Sequence, residues 1–196
     1  MKRISIARAA APLIALVVVA EAPSAQATKW LDRALQNWNQ AGGTVPRGPA
    51  DTSDRDDAIE RCKMKPPETA NARAIASAGW VPQLYLDREL IKRDVEIVGA
   101  VSGLDPMCAP MDYNVYVFVG GRYAGALSPQ VMTPGTDASA GAVRFTDEGI
   151  TVEFARYKPG DSTCCPTSRV AVRYRIDRSD DGPAVVPVDV RTTRSQ

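Results

Sequence analysis

Four cysteines, Cys62, Cys108, Cys164 and Cys165, are the strongest constraint on what this chain folds into. All of them follow a stretch with the three parts of a secretory signal: a positive start at Lys2, Arg3 and Arg8, an apolar run from Ala9 to Ala20, and the small-residue stretch Ala25-Gln26-Ala27. Cleavage after Ala27 is expected, giving a periplasmic or secreted chain. The apolar run is about a dozen residues, short of the roughly 20 that a bilayer-spanning helix needs, so no membrane span is expected. The alternative is a buried N-terminal helix, but the order of the charged, apolar and small parts favours the signal.

An even number of cysteines in an exported chain reads as two disulfides. An extended Cys-Cys pair points its side chains apart, so Cys62 and Cys108 are each expected to bridge to one member of the Cys164-Cys165 doublet, in either order. A four-thiolate zinc site is the competitor. Its Cys-x-x-Cys spacing is missing, and adjacent ligands fit a tetrahedral structural site poorly.

The chain has no histidine, which excludes Ser-His-Asp and Cys-His catalysis and removes the commonest metal ligand. A catalytic thiol lacks its usual activator. The lysines Lys29, Lys63, Lys65, Lys92 and Lys158 offer no S-x-x-K dyad. Loss of the signal removes Lys2, Arg3, Arg8 and Glu21 from 24 basic and 23 acidic residues, leaving a near-neutral chain unlike a general nucleic-acid binder. No cofactor is implied.

Patterning divides the chain into a helical and irregular front and a strand-rich back. Thr28 can cap a helix that carries Trp30, Leu31, Ala34, Leu35 and Trp38 on one face and stops at Gly42-Gly43. The tryptophans read as core anchors, with carbohydrate stacking as the alternative. The Pro-, Gly- and Asp-rich stretch from Thr44 to Asp57 reads as a loop. Its acidic cluster, Asp51, Asp54, Asp56 and Asp57, lacks the glycine and closing glutamate of a helix-loop-helix calcium site and reads as solvated charge. Pro66-Pro67-Glu68-Thr69 opens a second helix that ends at Gly79, with Ala72, Ile75 and Ala76 on a narrow apolar side.

From Trp80 onward, β-branched and aromatic runs alternate with turn residues. Strands are expected near 81–86, 90–99, 113–119, 122–127, 140–146, 150–157 and 168–177. Gly120-Gly121 and Asp147-Glu148-Gly149 mark two hairpins. The fold class is α+β: an antiparallel sheet of about five to seven strands with two N-terminal helices packed on it and two disulfides. The expected divisions are a signal over 1–27, a helix and loop over 28–58, the α+β domain over 59–178, and an edge strand or flexible tail over 179–196.

Val115-Tyr116-Val117-Phe118-Val119-Gly120-Gly121-Arg122-Tyr123-Ala124-Gly125-Ala126-Leu127-Ser128-Pro129, followed by Phe154-Ala155-Arg156-Tyr157 and Cys164-Cys165-Pro166, resembles the LppP/LprE family of bacterial envelope lipoproteins. The resemblance covers the stretch from Glu60 to Asp177. It implies an extracytoplasmic domain from a family without an established activity or agreed catalytic residues. The family's lipoprotein signal carries a cysteine, whereas none precedes Cys62 here, so a free form is expected.

Two surfaces are candidates for function. If Val170, Val172, Tyr174 and Ile176 point inward, Arg169, Arg173 and Arg175 point outward and share a face with Arg144 and Glu153. Such a row can fork onto phosphate or carboxylate, and its alternative is a solvated face of cross-strand ion pairs. The second surface is the loop carrying Leu127, Ser128, Pro129 and Met132, whose alternative role is to cover a sheet edge.

The leading function is a non-catalytic, disulfide-stabilised envelope domain that binds a partner protein, lipid or glycan. The runner-up is a small hydrolase with two carboxylates drawn from Glu60, Glu68, Asp87, Glu89, Glu96, Asp105, Asp112 and Glu153. An inhibitor of an extracytoplasmic enzyme fits rigid bridged loops equally well.

Overall fold

The computed structural model describes residues 30–49, 55–83 and 90–194. The expected signal, Asp51, Asp54, Asp87 and Glu89 lie outside the described residues. Two short helices, α1 (Arg55–Arg61) and α2 (Ala70–Ser77), precede nine strands among the described residues. These are β1 (Val81–Pro82), β2 (Leu90–Lys92), β3 (Val95–Val101), β4 (Tyr113–Val119), β5 (Arg122–Ala126), β6 (Ala140–Thr146), β7 (Gly149–Arg156), β8 (Ser168–Ser179) and β9 (Gly182–Arg194). They form two antiparallel sheets, not the single sheet expected. The first runs β1-β3-β4-β5 with β2 also on β3, and the second runs β6-β7-β8-β9.

Period-two alternation makes the layers. On the first sheet Val95, Ile97, Val101, Val115, Val117 and Val119 face the second sheet and join one core with Ile150, Val152, Phe154, Val170, Val172, Tyr174 and Val185. The intervening residues Val98, Ala100, Tyr116 and Phe118 face the other way and pack with Ile75 of α2 and Trp80. Burial pushes the Tyr123 phenol beside them up to about 12, and drives Tyr116 higher still. The β4–β5 hairpin turns at Gly120 and Gly121, both at positive φ (56° and 75°), as its sequence predicts.

The first expected helix is absent from the described residues. Only Trp30–Asp32 makes a single 3-10 turn, and the chain then runs irregularly past Gly42-Gly43. Tertiary contacts compete with the helix for the same apolar residues. Trp30 meets Phe154 edge-on with ring centroids 5.0 Å apart, and Trp38 meets Tyr174 at 6.2 Å. The Trp38 indole donates to Ala126 O at 2.9 Å. Asn39 follows, its backbone N–H bonded to the Asn37 side chain, a local bond that competes with helix formation.

Asn39 is the clasp between the sheets. Its Nδ2 donates to Ala126 O of β5 (2.9 Å) and Val185 O of β9 (2.8 Å), and its Oδ1 accepts from Ala126 N (2.9 Å). This clasp requires Gly125, which sits at φ 137° and whose added Cβ would fall 2.2 Å from the Asn39 side chain. A second clasp is Tyr174, whose buried hydroxyl donates to Leu127 O. Burial holds that phenol well above its ordinary value.

Other boundaries also moved. The stretch read as a loop up to Asp57 contains the start of α1, because Asp56 and Asp57 suit a first helical turn and Ala58 is buried. The strand expected over 90–99 is two strands, β2 and β3, joined by a tight turn in which Arg93 takes φ 59°. The second helix begins later than the prolines suggest, at Ala70, with Thr69 accepting from Ala72 N. The tail after Ser179 is β9, paired with β8 along its length, with a register shift between Arg173 and Tyr174 where Pro187 enters the ladder.

The disulfide pairing differs from the expectation. Cys62 bonds Cys108 across 46 residues, and Cys164 bonds Cys165. Cys62 directly follows α1, and the loop after β3 brings Cys108 to it at a Cα separation of 5.5 Å. Cys164 and Cys165 lie in a turn closed by Cys165 N donating to Ser162 O at 2.9 Å, not in the extended form that would part their side chains.

Candidate functional site

The arginine face is present, but its charge is answered at home. Arg144 of β6, Thr151 of β7, Arg173 of β8 and Asp189 of β9 sit in register across the outer face. Arg144 Nη1 bonds Glu153 Oε1 at 2.6 Å, and Arg173 bonds Glu148 and lies 3.9 Å from Asp189. Arg175 is held by Asp177, whose carboxyl it keeps below the usual carboxylate range. Arg169 shares the face. With carboxylates beside Arg144, Arg173 and Arg175, the row is a set of cross-strand and neighbouring pairs rather than an open cationic stripe.

The loop surface is corrected more sharply. Leu127, Ser128 and Met132 are buried, at 0%, 1% and 3% exposure, and Pro129 alone of the four is exposed. Met132 exchanges both backbone bonds with Tyr113 at 2.8 Å, and Asn114 Nδ2 donates to Ser128 O. The loop therefore closes the edge of the first sheet.

An unforeseen concavity lies on the α2 side. A groove of about 500 Å³ runs between residues 63–69, the start of α2, and the face of β1 and β3. Met64, Pro66, Pro67, Ala72, Pro82 and Val98 make its apolar wall, while Lys63 and Lys65 stand among its lining residues with Glu68. Of two further acids among the sequence candidates, Glu96 is at the groove and Asp105 is not among its lining residues. Glu96 lines the groove, but both its oxygens are engaged, one by the Thr69 hydroxyl (2.9 Å) and the other by Asn71 Nδ2 (2.5 Å). Asp105 is turned inward on its own loop, accepting from the backbone of Met107 and Ala109.

Lys63 is held in place by the end of α1. Its N–H bonds Glu60 O (3.1 Å) and Met64 N bonds Ile59 O (3.0 Å), the closing pattern in which glycine is usual at the left-handed position. Lys63 occupies that position at φ 51°. Gln83 Oε1, also lining the groove, is a buried acceptor with no donor among the described residues. Neither residue has a motif around it, so sequence patterning passes over both. The signal that could have found Lys63 is a helix stop without glycine after Arg61.

The fold and groove define a small α+β domain of two packed sheets, stapled by one long-range disulfide and flanked on one side by a short helix. Residues 97–179 match the family model of the LppP/LprE lipoprotein, as the resemblance read from the sequence had it. The match runs from Ile97 within β3 to the end of β8, so it contains Cys108, Cys164 and Cys165 but not Cys62, Lys63 or Gln83. No curated protein and no solved structure matches the chain. The matched family is described as one of lipoproteins. Among the described residues no helix is long and apolar enough to cross a membrane.

Proposed function

We propose that this chain is a non-catalytic, disulfide-stabilised envelope domain that holds an extended segment of a partner protein in the groove between residues 63–69 and β3. The observation that carries this reading is Lys63 at φ 51° on the groove. A non-glycine residue there costs about 1 kcal/mol, and such strain is kept where the side chain is used. Gln83 Oε1, buried without a donor among the described residues, can accept from a peptide N–H. Among the described residues none of those lining the groove is aromatic, which gives a glycan ring no stacking platform from them. Glu96 is committed to Thr69 and Asn71, which weighs against a carboxylate pair with Glu68.

The test is photo-crosslinking in intact cells, with a photoreactive residue at Ala72 in the groove or at Arg144 on the outer sheet face. A protein adduct from position 72 and none from 144 is the expected outcome. Adducts from 144 alone, or from neither, refute the reading. Lys63→Gly adds a sharper arm: the fold should gain about 1 kcal/mol by denaturant unfolding while the adduct at 72 weakens.

A further inference from the structure

The turn that carries Cys164 and Cys165 is built so that it does not depend on their bond. Asp161 is its hub: its carboxylate accepts from Lys158 N (2.9 Å), Thr167 N (2.9 Å) and the Thr167 hydroxyl (2.7 Å). The Lys158 N–H, followed by the Thr167 contacts, holds this carboxyl below the usual carboxylate range. Tyr157 closes the turn from outside, its hydroxyl donating to Thr163 O at 2.6 Å. Both cysteines are exposed. Their bond joins adjacent residues, so it restrains no length of unfolded chain, and folding gives its oxidised form none of the loop-closure stabilisation that Cys62–Cys108 receives across 46 residues.

One neighbour distinguishes the two sulfurs. The Ser162 hydroxyl lies 3.0 Å from Cys164 Sγ, and because a disulfide sulfur has no proton, the hydroxyl is the donor. A donor on Cys164 stabilises the thiolate that forms there when the bond opens, and leaves Cys165 as the sulfur to be attacked.

We propose that Cys164–Cys165 is a thiol–disulfide exchange site that accepts two electrons from a dithiol, while Cys62–Cys108 remains a structural bond. A thiolate of the dithiol attacks Cys165 Sγ, forming a mixed disulfide and releasing Cys164 as thiolate under the Ser162 hydroxyl. The second thiol of the donor, as thiolate, then attacks its own sulfur in the mixed disulfide and expels the Cys165 thiolate. The donor leaves as its disulfide, and the two cysteine thiolates take up the two protons that it loses. Two electrons and two protons are transferred.

The experiment treats the oxidised protein with graded dithiothreitol, alkylates the free thiols, and maps the modified cysteines by mass spectrometry. Cys164 and Cys165 should be alkylated at concentrations at least tenfold below those that open Cys62–Cys108, with the near-ultraviolet circular dichroism unchanged. Ser162→Ala should slow that opening several-fold and leave Cys62–Cys108 unaffected. Opening of both bonds together, opening of Cys62–Cys108 first, or alkylation of the doublet before any dithiol is added overturns the proposal. An unchanged rate in Ser162→Ala overturns the assigned direction of attack.

Discussion

The two faces of β4 are closed in different ways. Val115, Val117 and Val119 look into the space between the sheets, where strands cover strands and Trp30 and Trp38 seal the side. Tyr116 and Phe118 look toward α2, a helix of only eight residues that covers Ala100 and Val98 but leaves the groove open beyond its start. A sheet covered by another sheet buries every second residue of several strands at once. A single short helix covers a narrow strip. Stability therefore concentrates between the sheets, and access is left on the helix side.

The largest expected break of this contrast is Phe154→Ala. It removes a ring with no exposed surface from between the sheets and should lower stability by about 3–5 kcal/mol, read from the denaturant midpoint. Replacing Cys62 and Cys108 together by Ser should remove about 2–4 kcal/mol, whereas the same replacement at Cys164 and Cys165 should leave the midpoint nearly unchanged. An equal loss from both double variants would contradict the division of labour between the two bonds. Asn39→Ala strips three hydrogen bonds from the seam of β5 and β9 and should lower stability by about 1–3 kcal/mol. Its signature is faster amide exchange at Ala126, which loses its acceptor; unchanged exchange there would show that the sheets hold together without the clasp. Smallest of all, Arg144→Ala should change stability by under about 1 kcal/mol, since its side chain is 63% exposed and its partner Glu153 keeps some contact with solvent.

Much of the back half was legible because period-two patterning and turn chemistry act locally. The Gly120-Gly121 hairpin and the inward set Val170, Val172 and Tyr174 follow from neighbours in the chain. The front was misread for the opposite reason. Trp30, Leu35 and Trp38 have helical spacing, but what decides their conformation is Phe154, Tyr174 and Ala126, residues about ninety or more positions away. Leu127, Ser128 and Met132 were misplaced similarly, since a loop with prolines looks exposed until Tyr113 and Asn114 are known to bond its backbone. Arg144 and Arg173 lie on the outer face in strand register. The neutralisation of the arginine row by Glu148, Asp189 and Asp177 depended on that register.

The sequence by itself determined an α+β chain of antiparallel strands, a family resemblance over its back half, and four cysteines paired among themselves. Only the tertiary structure decided that the strands split into two sheets, that Cys62 reaches Cys108 and leaves Cys164 to Cys165, and that Lys63 and Gln83 meet at one groove. Alternation and turn signals are properties of a few consecutive residues. Sheet partition, disulfide partners and a groove are set by which distant surfaces bury each other, and that choice rests on the summed packing of the whole core.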